Sequence, residues 1–174
     1  MAQVRLDIQS LVVTNGPVAS LVVLKPRSED DSSTVKLPIR IGTFEAACIS
    51  MGIDTSKRMK RPMSHDLMGS IIQGLGAKLT RVVITHVEDT TFYAQLTLTT
   101  ETGQTVFLDA RPSDAIALAV RVHAPIFAED RVLEAATLPD FESVEREAAE
   151  DERAREEEAF HQFVEGLSPE DFAV

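Results

Sequence analysis

Residues 106–121, VFLDARPSDAIALAVR, decide the fold class, because they pass from strand to helix periodicity within a few positions. Val106, Phe107 and Leu108 run apolar into Asp109, as the end of a strand does. Pro112 then suits the first turn of a helix, where its missing N–H costs nothing. Ser113 and Asp114 fit a cap and first turn, and Ile116, Ala117 and Val120 recur at helical spacing. The helix start therefore carries Asp109, Arg111 and Asp114 together. Free N–H groups and the positive end of the helix dipole make such an end a natural place for an anion.

Reading outward from there, residues 79–87, 91–100 and 105–108 form three strands, with Phe92, Ala94, Leu96 and Leu98 alternating against polar neighbours as a half-buried strand requires. Glu88-Asp89-Thr90 and Glu101-Thr102-Gly103 supply the turns, so the three strands read as an antiparallel meander. Further upstream, residues 3–13 and 18–24 are strands at hairpin distance around Asn15-Gly16. A third strand near 35–41 follows the polar loop KPRSEDDSST. Phe44, Ala47, Cys48 and Met51 fall at i, i+3, i+4 and i+7, which predicts a short helix stopped by Gly52. Another helix spans about 64–74, and 125–128 and 129–136 read as a closing strand and a last turn or two of helix. The order implies an α+β protein, a roll-like mixed or antiparallel sheet packed with about three helices.

Charge divides the chain. Residues 1–139 carry 15 acidic against 14 basic side chains, whereas residues 140–174 carry 13 against 3, which accounts for the net charge of −11. We therefore expect a near-neutral domain at 1–139 and an acidic helical tail at 140–174, the latter a candidate surface for a protein partner. No run approaches the ~20 apolar residues of a membrane span, and the N-terminus lacks signal-peptide order, so a cytoplasmic protein without membrane contact is expected. Cys48 stands alone, which excludes an internal disulfide and a cysteine zinc site. P-loop, dinucleotide and zinc-protease patterns are absent, and no organic cofactor is indicated.

One basic cluster occurs: Lys57, Arg58, Lys60 and Arg61 place four positive charges in five positions. It reads either as a solvated loop or as a phosphate contact. Arg61-Pro62 leads into Ser64, His65 and Asp66, and so repeats the grammar of Arg111-Pro112-Ser113-Asp114 at a second helix start. Capping accounts for each serine and aspartate singly; it does not account for two Arg-Pro pairs or for His65. His86, His123 and His161 read as structural or solvated, and Tyr93 and Phe92 as core aromatics.

Four segments, LPIRIGTFEA (37–46), RPMSHDLM (61–68), RVVITHVEDTTFYAQL (81–96) and DARPSDAIALAVR (109–121), resemble the bifunctional nuclease domain family over roughly residues 4–135. Ser64 stands where the family usually has threonine, which keeps the hydroxyl. The resemblance implies an α+β roll, an oligomer, for which we expect a dimer, and nuclease activity on DNA and RNA of low sequence specificity. Nucleases commonly use a metal ion that polarises phosphate and activates water. On that reading, Asp66, Asp109, Asp114 and Glu45 are candidate ligands for Mg2+ or Mn2+. Catalysis falls to His65, Asp66, Asp109, Arg111 and Asp114, with Lys57, Arg58, Lys60, Arg61 and Ser113 binding phosphate. The two Arg-Pro helix starts are then expected to converge on one polar cleft. The same residues would equally serve a buried Arg–Asp lattice in a non-catalytic oligomeric, regulatory or protein-interaction module.

Overall fold

A computed structural model describes residues 2–13, 19–27, 35–54, 56 and 60–136. The strands are β1 (Gln3–Val12), β2 (Ser20–Pro26), β3 (Leu37–Ile41), β4 (Ala77–Glu88), β5 (Thr91–Thr100), β6 (Thr105–Ala110) and β7 (Ile126–Glu129). They form one seven-stranded sheet in the order β3-β2-β1-β7-β4-β5-β6. Every neighbouring pair is antiparallel except β4 with β7. The helices are α1 (Thr43–Ile53), α2 (Ser64–Gly74), α3 (Pro112–Val122) and the short α4 (Asp130–Ala136). The expected α+β class, the meander and the N-terminal hairpin pairing are all present. The Asn15-Gly16 turn, Lys57, Arg58 and the tail from 137 onward lie outside the described residues, and none of the described helices is long and apolar enough to cross a membrane.

α3 is the central helix. Seven of its eleven residues are buried, from Pro112 and Ser113 through Ala115 to Ala119. Its alanines let neighbouring helices approach closely, while Ile116 and Leu118 are fully buried in the core shared with β4 and β5, each contributing roughly 2–3 kcal/mol by leaving water. Gly52 lies inside α1 and does not stop it. A Cβ there would stand 2.5 Å from Val120 Cγ2 and 2.8 Å from Arg121 NH1, so glycine at this position is a consequence of the α1–α3 crossing. Local sequence cannot distinguish that use of glycine from a stop signal.

Register settles which strand residues face the helices. Val82, Leu96 and Leu108 are aligned across β4, β5 and β6, as are Ile84, Ala94 and Ala110, and the buried members of both rows join the core with Ile116 and Leu118. The intervening row, Val83, Gln95 and Asp109, therefore points to the other face of the sheet. His86 sits opposite Tyr93 on β5, their rings stacked at 4.2 Å with 5° between planes. His86 Nδ1 also lies 3.0 Å from Thr85 Oγ1. The two half-buried rings thus hold each other in place, and Cys48 is buried, its thiol pushed up by loss of solvation.

Candidate functional site

Three helix-borne segments meet beside α3. The α3 start is Arg111, in extended conformation as the N-cap, followed by Pro112 in the first turn. Arg111 donates through Nε to Asp114 Oδ2 at 2.8 Å and through NH1 to Glu45 Oε1 of α1 at 3.0 Å. Glu45 folds back over its own helix start, where a Cβ on Gly42 would collide with the carboxylate. From α2, His65 Nε2 approaches Asp114 Oδ1 at 3.3 Å. Burial raises the Asp114 carboxyl, but hydrogen bonds from Arg111 and His65 outweigh it and hold the group below its ordinary value.

The α2 start is wired differently. Met63, not Ser64, is the N-cap residue, and the Asp66 carboxylate accepts its N–H at 2.9 Å. The other Asp66 oxygen accepts Arg121 Nε at 2.8 Å, and Arg121 also donates to the Ala117 carbonyl at 2.7 Å. Burial raises the Asp66 carboxyl as well, and the Met63 N–H and Arg121 overcome it, leaving a lowered value. Arg121 is the member that motif reading missed. Its only signal was an arginine inside the apolar run IALAVRV.

Two clefts flank this cluster. The larger, about 820 Å³, is bounded by His65, Asp66 and Arg121, with Lys60, Lys78 and His123 also at its walls and Met51, Met63 and Ile72 among its apolar lining. The smaller, about 590 Å³, is lined by Arg40, Glu45, Arg111 and Ser113. Ser113 is buried there. The helix starts do converge, through His65 and Asp114, but they stand between two clefts instead of lining one. Arg61 is exposed on the approach to α2 and joins no ion pair among the described residues, so the two Arg-Pro starts are not equivalent.

Asp109 is not brought to the cluster. It points with Gln95 away from the helical face, because one residue along a strand reverses a side chain. The proposed metal ligands likewise fail to assemble. Both oxygens of Asp66 are engaged, Asp114 is held by Arg111 and His65, and Glu45 by Arg111. Among the described residues no three His, Cys, Asp or Glu side chains form a group that could hold a metal ion. The residues as arranged do not fit a divalent cation.

Residues 22–140 match the family described as bifunctional nuclease domain. The chain belongs to that family. The chain is 38% identical over 139 residues to uncharacterised proteins from two strains of Mycobacterium tuberculosis, covering 78% of this chain and 80% of each relative. In this domain the matched span contains α1, α2 and α3 and hence every residue of the cluster described above.

Proposed function

We propose that the protein hydrolyses phosphodiester bonds of DNA or RNA, or both, with low sequence specificity, in the larger cleft. The observation that carries this reading is His65. It is only 5% exposed, its Nε2 faces Asp114, and its Nδ1 has no hydrogen-bond partner although it belongs to a residue of the cleft wall. With the proton on Nε2 directed at Asp114, Nδ1 is an unpaired acceptor buried just behind the cleft wall, and it becomes a general base once a local opening of that wall admits water to it. Lys60, Lys78 and Arg121 against the single carboxylate of Asp66 give this cleft a local positive balance that suits a phosphate chain, despite the acidity of the whole polypeptide.

On this reading His65 Nδ1 takes a proton from the attacking water, the P–O bond to the leaving oxygen breaks, and that oxygen is protonated from solvent. Around His65 the Glu45 and Asp114 carboxylates are paired with Arg111, and Asp66 with Arg121. The family membership supports nuclease chemistry in general terms. A second reading is favoured by one observation: every carboxylate of the cluster is paired with an arginine, and Arg121 is buried. That is also how a structural lock on three helices is built in a non-catalytic module.

The test is cleavage of single- and double-stranded DNA and RNA by the purified chain and by His65→Gln, with added Mg2+ or Mn2+ and with chelator. Loss of about 10²–10⁴-fold in the variant, at unchanged stability, is the expected result. Equal cleavage by the variant would assign the activity to a contaminant and leave the structural reading standing.

A further inference from the structure

α2 is built inside out. Of its eleven residues only His65 is buried, while Leu67, Met68, Ile71 and the C-cap residue Leu75 are 53, 39, 51 and 78% exposed. At ~3.6 residues per turn these four fall within roughly a quarter of the helix circumference, and a surface helix ordinarily turns such a stripe toward its own core. Cations stand at both ends of it. Lys60 and Arg61 precede the helix and Lys78 follows it, all three exposed. Lys60 and Lys78 are also walls of the larger cleft, to which Ser70 and Gln73 contribute from the flank of the same helix.

The acidic tail carries the complementary pattern. Phe160, Phe163, Val164 and Leu167 recur at i, i+3, i+4 and i+7, a stripe that matches the one on α2 in length. Residues 142–158, just before it, hold nine acidic against three basic side chains, and Glu170 and Asp171 follow it.

We infer that residues 160–167 seat on the α2 stripe of their own chain and carry the neighbouring carboxylates over Lys60, Arg61 and Lys78. Three features select this occupant. The first is charge. Residues 1–139 sum to −1 and residues 140–174 to −10, so the tail is the part of the chain with negative charge to spare. Whichever way it runs along α2, acidic residues beside its apolar stripe meet a cation beside the other. The second is reach. The last described helix ends at Ala136, and 24 residues lead from there to Phe160. Even at the helical rise of ~1.5 Å per residue they span ~36 Å, about the diameter of a domain of this size. The third is tethering. A segment on such a linker acts at an effective concentration on the order of millimolar, so a contact of a few side chains holds it where a free partner would escape.

If the larger cleft receives nucleic acid, as proposed above, the seated tail withdraws Lys60 and Lys78 from phosphate and makes the chain its own polyanionic competitor. The seating itself does not depend on that reading.

Cysteine pairs in the full chain test the seating, with circular dichroism confirming that each variant is folded. Ile71→Cys combined with Phe163→Cys should close an intrachain disulfide on mild oxidation, a faster-migrating monomer in non-reducing electrophoresis, while the buried Cys48 stays reduced. Glu88→Cys combined with Phe163→Cys, at the far end of β4, should link at least about 10-fold more slowly. Equal linking in the two pairs, or a covalent dimer in place of the intrachain link, would overturn the seating. Binding of a labelled single-stranded oligonucleotide then tests the competition. Changing Glu150, Asp151, Glu152, Glu156, Glu157 and Glu158 to their amides should tighten it about 10-fold or more at ~50 mM salt, a gain that fades toward ~0.5 M. Unchanged affinity would overturn the competition. An intrachain link in a chain that binds no oligonucleotide before or after neutralisation would uphold the seating and sink the nuclease reading.

Discussion

The two Arg-Pro helix starts share nearly the same letters and use them differently. At α3, Arg111 reaches its own Asp114 three residues on and Glu45 of α1, and it stays 65% exposed. At α2, Arg61 reaches no acidic group among the described residues, and Asp66 instead takes Arg121, which is 55 residues away in sequence and only 8% exposed. One start is a local, solvent-washed ion pair; the other is a long-range clamp on a buried cation. A motif thus fixes which groups are present at a helix end, and tertiary packing fixes which partner each one takes.

Alanine at each aspartate gives the largest contrast. Asp66→Ala strips a buried guanidinium of its carboxylate and the Met63 N–H of its acceptor, so we expect a loss of about 3 kcal/mol in urea unfolding. Asp114→Ala removes an exposed pair and leaves the buried His65 Nε2 without its partner, for about half that cost. The opposite ranking would break the distinction between clamp and surface pair.

Acid comes next. Both carboxyls are held below their ordinary value, so each adds stability that is complete above the unfolded-state value near ~3.9 and is lost as pH falls through the lower folded value. Thermal midpoints followed from about pH 4 down to about pH 2 should fall steeply, and less steeply in Asp66→Asn and Asp114→Asn, whose amides cannot titrate. Equal acid slopes in parent and variants would show that other carboxylates govern this range.

The arginines should give the smallest effects. Arg111→Gln is expected to cost about 0.5–1 kcal/mol, the range of an exposed ion pair, and Arg61→Gln less than about 0.5 kcal/mol. If Arg61 contacts phosphate, its variant should instead lower the salt dependence of nucleic-acid binding by a slope of about 0.9. An Arg61→Gln chain that is as destabilised as Arg111→Gln would mean that the two starts are equivalent after all.

Elements with strong periodicity were legible from sequence. The meander, α2 and α3 follow from alternation and helical spacing, and Pro112 marks the α3 start correctly. The failures share one physical cause, contacts made at a distance. Gly52 looks like a stop until α3 is laid across it. Ser64 looks like a cap, although Asp66 binds the Met63 N–H and makes methionine the boundary residue. Asp109 stands two residues from Arg111 in sequence, yet the strand continues through Ala110 and turns its carboxylate to the other side of the sheet. Arg121 was visible only as a misplaced charge until Asp66 was found opposite it.

The placing of β7 bears on how the chain reaches this state. The sheet is continuous only because this four-residue strand, near the end of the domain, lies between β1 and β4. Until Ile126–Glu129 has been synthesised, the N-terminal three strands and the meander have no backbone link in the sheet, and β1 and β4 each present an unpaired edge. Closure therefore joins residues separated by almost the full length of the domain, a loop cost met late and with little local help. Nascent chains that stall just before Ile126 are expected to be the species most open to edge-to-edge aggregation.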